Sequence, residues 1–370
     1  LVLATSTEDL GRRTDHDNSS VASAVAFDSL GVYAFVALET SREVAVIYAH
    51  SGIQVIRLEA GRAPQGVLVS PDNTRLYVSN FMDRTVDVFD ISALTGSGNA
   101  SIPKLATLNA VASEALSPTV LLGKQHFYDA RDPRLALDRY MSCAACHNDG
   151  GTDGRTWDLT GMGEGLRNTI SLRGRAAGQG FLHWSNNFDE LQDFEGQIRG
   201  LAGGTGLMSN TDFFAGTRSL TLGDPKAGLS PDLDALAAYV ASLNAFAPSP
   251  RRNNDGTLTA AAQIGKEIFA KKNCAACHGG NDYTVSAANN LFNVGTLKPA
   301  SGQRLGGPLT GIDVPTLRDV WATAPYLHDG SAPTIAAAIE AHTNVSIPAG
   351  DLPNLVAYVE QIGGDEGPAP

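Results

Sequence analysis

Between residues 21 and 91 short apolar runs alternate with polar breaks, and the runs recur at a fixed interval. Val25-Ala26-Phe27, Phe35-Val36 and Val44-Ala45-Val46-Ile47 return 42 residues later as Val67-Leu68-Val69, Tyr77-Val78 and Val86-Asp87-Val88-Phe89. Each run is β-branched or aromatic and too short for a helix, so the pattern predicts strands. Ser70-Pro71-Asp72-Asn73 and Phe81-Met82-Asp83-Arg84 supply the turns between them. From about residue 111 the pattern changes to short helices and long loops. Arg131 to Met141 reads as a helix, and Pro231 to Leu243 carries Leu233, Leu236, Val240 and Leu243 at helical spacing. Pro248 to Gly256 is a polar linker rich in breakers. Further helices are predicted over Ala260–Lys272, Pro333–Ala341 and Leu352–Ile362.

A period near 42 with three or four strands per unit is the mark of a propeller blade. Two blades close no ring and stack only on neighbours. They stand either for part of a longer propeller or for a small β-meander packed on the helical part. The expected architecture is multidomain: partial, all-β, propeller-like blades over residues 1–110, then two mostly α domains over 111–250 and 251–370. The formal net charge of −12 argues against a nucleic-acid partner, which needs a basic face, and permits a basic protein partner. No apolar run reaches the length of a membrane span. The chain opens at Leu1 directly into polar sequence, which reads as a processed or truncated start.

All four cysteines fall in two identical pentapeptides, Cys143-Ala144-Ala145-Cys146-His147 and Cys274-Ala275-Ala276-Cys277-His278. Cys-x-x-Cys-His is the attachment pattern of haem c: the two thiols reach the vinyl groups of one porphyrin edge and the histidine ligates the iron. A zinc knuckle needs the two cysteine pairs to converge and leaves both histidines unexplained. A thioredoxin-like pair does not account for two copies each followed by histidine. Two covalent haems are therefore expected, one in each helical domain. Because haem c is attached outside the cytoplasm, the chain is expected to be periplasmic, on the cell surface or secreted.

Two such domains joined by the 248–256 linker resemble the bacterial diheme cytochrome c peroxidase superfamily, over roughly residues 120–362. The most specific stretch runs from Val314-Pro315-Thr316-Leu317-Arg318-Asp319-Val320 through Thr323-Ala324-Pro325-Tyr326-Leu327-His328-Asp329-Gly330, with a second match at Arg167-Asn168-Thr169. Tyr77-Val78-Ser79-Asn80 looks like the YVTN-type blade repeat of surface-associated members. The resemblance implies an electron-transfer role for the second haem, with His342 at the position of its distal ligand. Ile335, Ile339 and His342 share one helical face, so the imidazole points where the apolar residues point. It further implies Trp184 as a relay between the haems, and Arg318 and His328 as cofactor-binding residues. Asn168, Thr323 and Pro325 match the family's Ca2+ site at the domain interface.

In the resemblance the first haem takes the peroxide. The family's displaceable histidine would fall at Gly161-Met162-Gly163, where Met162 is the only side chain able to ligate. His183, directly before Trp184, is a candidate distal ligand or proton shuttle. The family's distal acid falls near Leu207-Met208, so Glu195 and Gln197 are the candidate substitutes, although a solvated helix face accounts for both equally. The leading expectation is reduction of hydrogen peroxide, or use of another small oxidant, with electrons from a small periplasmic cytochrome c or copper protein. A haem-dependent oxygenase, a substrate-oxidising diheme enzyme and a non-catalytic diheme electron carrier remain the alternatives.

Overall fold

The computed structural model describes residues 21–174 and 180–370. The first 20 residues of the expected blade segment lie outside the described residues. Strands β1 (Ala22–Phe27), β2 (Tyr33–Leu38), β3 (Glu43–Tyr48) and β4 (Ile53–Glu59) form one antiparallel sheet in sequence order. Strands β5 (Pro64–Val69), β6 (Arg75–Asn80), β7 (Thr85–Asp90) and β8 (Lys104–Asn109) form a second of the same topology. The repeat reaches into the backbone itself. Positive φ angles pair 42 residues apart at Val21 and Ala63, Gly31 and Asn73, and Arg42 and Arg84. Register breaks do the same, at Ala22/Ala24 and Pro64/Gly66, then at Val46/Ile47 and Val88/Phe89.

The two sheets bury Phe35, Val44, Val46, Leu76, Val78 and Phe89 in one core. That is why the apolar run, and not strict alternation, marks these strands. Among the described residues the two sheets do not close into a ring. Val25 and Phe27 on β1 are 56% and 54% exposed, and Leu105 and Leu108 on β8 are also exposed.

The chain divides into two compact units that interleave along the sequence. The first takes residues 1–145, 194–212 and 228–239; the second takes 146–193, 213–227 and 240–370. In the first unit, helix α1 (Ser92–Ser97) follows β7. Helix α2 (Pro118–Phe127) starts where Ser117 accepts the Val120 N–H and Pro118 presets the first helical φ. Gly123 lets α2 approach the backbone of Ala235; a Cβ there would lie 1.8 Å from the Ala235 carbonyl oxygen.

The helix expected over Arg131–Met141 does not form. Asp132 and Pro133 open a turn, and the Leu137 N–H donates to the Ala202 carbonyl while Ala136 bridges to Gly203. One i→i−4 bond forms, from the Ala136 N–H to the Asp132 carbonyl at 3.1 Å, but the Pro133 and Arg134 carbonyls accept from the N–H groups of Thr205 and Gly206, so the ladder does not propagate. Helices α3 (Phe194–Gly200), α4 (Pro231–Ser242), α5 (Ala260–Lys271), α6 (Ile335–Glu340) and α7 (Leu352–Val359) follow. The last four lie within the spans expected for them.

In the second unit α5 crosses α7. Gly265 is the contact point, since a Cβ there would stand 1.9 Å from the Asn354 carbonyl oxygen. Phe269, Tyr283, Leu355, Tyr358 and Ile362 fill the core behind the crossing.

Candidate haem-binding site

The second pentapeptide begins at the foot of α5. Asn273 takes a left-handed φ of 57° and turns the chain out of the helix, so Cys274–Ala276 form a single 3-10 turn. The turn opens on a cavity of about 430 Å³, within the range of small-molecule and cofactor sites. Cys274, Cys277 and His278 line it, with Phe269, Phe292, Ile312, Leu355 and Val359 among its apolar walls. His342, Ile335 and Ile339 line it from α6 and the residues after it.

Both imidazoles are oriented by backbone carbonyls. His278 donates from Nδ1 to the Pro315 carbonyl at 3.2 Å, and His342 donates from Nδ1 to the Ala338 carbonyl at 2.8 Å. Each ring is thereby left with Nε2 as its lone-pair nitrogen, the form that binds a metal. Burial, and then the nearby His342, push His278 down to about 4, so it is neutral at any ordinary pH. The residues present fit a covalently held haem, which Cys274, Cys277, His278 and His342 would hold.

At the first pentapeptide, Cys143–Cys146 is again a single helical turn. His147 repeats the arrangement of His278, with Nδ1 donating to the Gly151 carbonyl at 3.3 Å, and burial lowers its pKa. None of the four cysteines is paired in a disulfide. Burial raises Cys146 to about 11 and moves Cys274 and Cys277 in the same direction. Among the described residues no group of three or more His, Cys, Asp or Glu converges to hold a metal.

Around the second cavity the remaining candidates take distinct places. Trp184 lines it and donates from Nε1 to the Asn168 carbonyl at 2.8 Å. Asn168, Thr323 and Pro325 lie on its wall. The Asn168 amide meets the Pro325 carbonyl, while its Oδ1 is buried without a hydrogen-bond partner. An orphaned amide oxygen beside a carbonyl is a fitting start for a hard cation. His328 is buried, bonded through Nε2 to Ser301 Oγ at 2.6 Å, and burial lowers it to about 4. Arg318 lines the cavity too, but its guanidinium donates to the carbonyls of Asn281, Gly363 and Glu366.

The candidates for the first haem are placed as follows. Met162 is 38% exposed on a 3-10 turn. His183 is half-buried at a left-handed φ of 66°, bonded through Nδ1 to Asn187 Oδ1 at 2.7 Å. Gln197 is half-buried on α3. Glu195 does not stand on a solvated face. It is fully buried, accepting from the Leu207 and Met208 N–H groups at 3.0 and 3.1 Å and from Arg199 Nε at 2.8 Å. The carboxylate thus lies against the backbone of the two residues where the distal acid was expected.

Sequence reading passed over Glu164, Asn187 and Ser301, the partners of His183 and His328. They are brought together from separate loops and share no local spacing that would mark them.

Two family profiles match the chain: one described as di-haem cytochrome c peroxidase over residues 117–204, and one described as RoxA-like, cytochrome c-like over residues 311–346. Among curated proteins the chain is similar to hydrazine synthase subunit gamma of Kuenenia stuttgartiensis, 29% identical over 59% of this chain and 68% of that protein. It is 28% identical to cytochrome c peroxidase Ccp of Escherichia coli K12, over 63% of this chain and 56% of that protein. It is 25% identical to cytochrome c551 peroxidase of Pseudomonas aeruginosa, over 66% of this chain and 78% of that protein. No described helix is long and apolar enough to cross a membrane.

Proposed function

We propose that this chain, which matches the di-haem cytochrome c peroxidase profile over residues 117–204 and is similar to cytochrome c peroxidases, is an exported diheme oxidoreductase that reduces hydrogen peroxide at the first haem with electrons relayed through the second. Haem, when bound, supplies an iron that exchanges single electrons and reduces a coordinated oxidant. The chain's own residues decide which of the two centres does which.

The observation that carries the reading is the pair of carbonyl-oriented histidines on the second cavity, His278 and His342. If both imidazoles held the haem iron, that centre would have no place for a substrate and would suit electron transfer. Cys274 and Cys277 would hold the group by thioethers. Trp184 on the cavity wall would carry electrons towards the first centre, and His328 and Arg318 would support the cofactor's surroundings. Asn168, Thr323 and Pro325 would hold a calcium ion through the amide oxygen and carbonyls.

At the first centre Cys143, Cys146 and His147 would hold the group, leaving the second axial side for the oxidant. Peroxide reduction needs a group that takes a proton from one oxygen and returns it to the other. Glu195 is occupied by three N–H donors, and Met162 is exposed on its turn. His183 is the remaining side chain suited to the task. The donor would be a small cytochrome c or copper protein outside the cytoplasm, basic enough to be drawn to a chain of charge −12.

The occupation of Glu195 favours one further reading: a member that has lost the distal acid and serves as an oxygen-dependent or substrate-oxidising enzyme, or as a diheme electron carrier. Steady-state oxidation of a reduced small cytochrome or copper protein separates these. Peroxide-dependent oxidation of the donor is expected. Donor oxidation driven by oxygen alone would transfer the chain to the oxygenase reading, and none with either oxidant would leave an electron carrier.

A further inference from the structure

A file of hydrogen bonds runs from Arg167 through Glu164 and Asn187 to His183, and its direction is dictated by what each group can donate. Arg167 Nη2 donates to Glu164 Oε2 at 2.6 Å, with the two side chains 7% and 8% exposed. Glu164 Oε1 takes the Asn187 Nδ2 at 3.1 Å and the Leu305 N–H at 3.3 Å. Glu164 is thus an acceptor at both oxygens. Asn187, which is buried, must turn its NH2 towards it, because the reversed amide would aim an oxygen at an oxygen. The other end of the amide, Oδ1, then faces His183 Nδ1 at 2.7 Å. A carbonyl oxygen only accepts, so Nδ1 must carry the hydrogen, and a neutral imidazole with Nδ1–H keeps its lone pair on Nε2.

The turn that carries the ring is held from several sides. Leu182 pairs with Phe188, whose ring lies 4.3 Å from that of His183, and Arg304 donates to the Ser185 and Asn186 carbonyls at 2.7 and 2.8 Å. These contacts over-determine a residue at positive φ, the condition under which such a backbone persists.

We propose that Glu164 is a positioning residue that sets the tautomer of His183 through Asn187, with Arg167 fixing Glu164 in place, so that Nδ1 carries the hydrogen and the ring's lone pair lies on Nε2. The catalytic meaning rests on the role given to His183 above; the tautomer itself does not.

The test is nitrogen-15 NMR of the full haem-loaded chain with labelled histidine, reduced and carbon monoxide-saturated. The His183 signals are assigned by their loss in H183Q. The wild type is expected to carry the proton on Nδ1. In E164Q the new amide keeps its oxygen towards Arg167 and turns its NH2 to Asn187. Asn187 then reverses and the His183 proton moves to Nε2. E164Q/N187D, which presents an acceptor to both neighbours of position 187, is expected to return the proton to Nδ1. N187L leaves Arg167 and Leu305 on Glu164 and should give a mixture of tautomers, which keeps the proposal testable should E164Q not fold.

A wild type protonated at Nε2, or variants whose His183 stays at Nδ1, overturns the proposal. Peroxide turnover is expected to fall about a hundredfold in E164Q. A switched tautomer with unchanged turnover would remove His183 from the catalytic reading while leaving the tautomer assignment standing.

Discussion

His278 and His342 reach the same cavity from opposite ends of the second haem segment, and each has its Nδ1 committed to a main-chain carbonyl. H342G should therefore convert the second haem from low to high spin and let it bind carbon monoxide; an unchanged low-spin spectrum would remove His342 as a ligand. Arg318 is expected to act differently from a haem contact. Its guanidinium meets three backbone carbonyls and lies over Phe246 and Tyr283. R318L should lower stability by roughly 2–4 kcal/mol, through unsatisfied carbonyls and lost packing, with little change in either haem spectrum. Denaturant unfolding beside the Soret spectrum checks both halves of that statement.

At this scale the pentapeptides were legible because attachment chemistry demands a local spacing. The common wall of Ile335, Ile339 and His342 was legible because helical spacing gathers them. Glu195 was not. Its partners are the main-chain N–H groups of Leu207 and Met208, and no side-chain pattern announces where a loop's backbone will fold.

Among the elements, the 42-residue repeat predicted both sheets, and the structure extends it to positive φ angles and register breaks that no apolar pattern records. The helices that held share an apolar face; the one that failed, over Arg131–Met141, had its backbone claimed by residues 202 and 203. Helix α2 escaped notice although Ser117-Pro118 is a start signal. Helix crossings depend on Gly123 and Gly265, which sequence alone does not distinguish from loop glycines. Replacing Gly265 with Ala drives a methyl into the Asn354 carbonyl. It should cost roughly 1–3 kcal/mol, read as an earlier unfolding midpoint with the first haem spectrum unchanged. An unaltered midpoint would show that α5 and α7 cross less tightly than this.

On the scale of the whole molecule, the two proposed haem centres would have unequal coordination. Asn168 donates its amide nitrogen to the Pro325 carbonyl while its Oδ1 is buried without a hydrogen-bond partner, and the proposed calcium would use that oxygen. Chelation should lower the unfolding temperature and slow electron exchange between the haems. A chain that holds no calcium when purified, and that a chelator leaves unaffected, would refute the calcium assignment. The inequality of the two centres is tested most directly by titrating the fully reduced, haem-loaded chain with carbon monoxide while counting covalent haem by mass. The account predicts two haems and one carbon monoxide per chain; two haems binding none, or two, would contradict it.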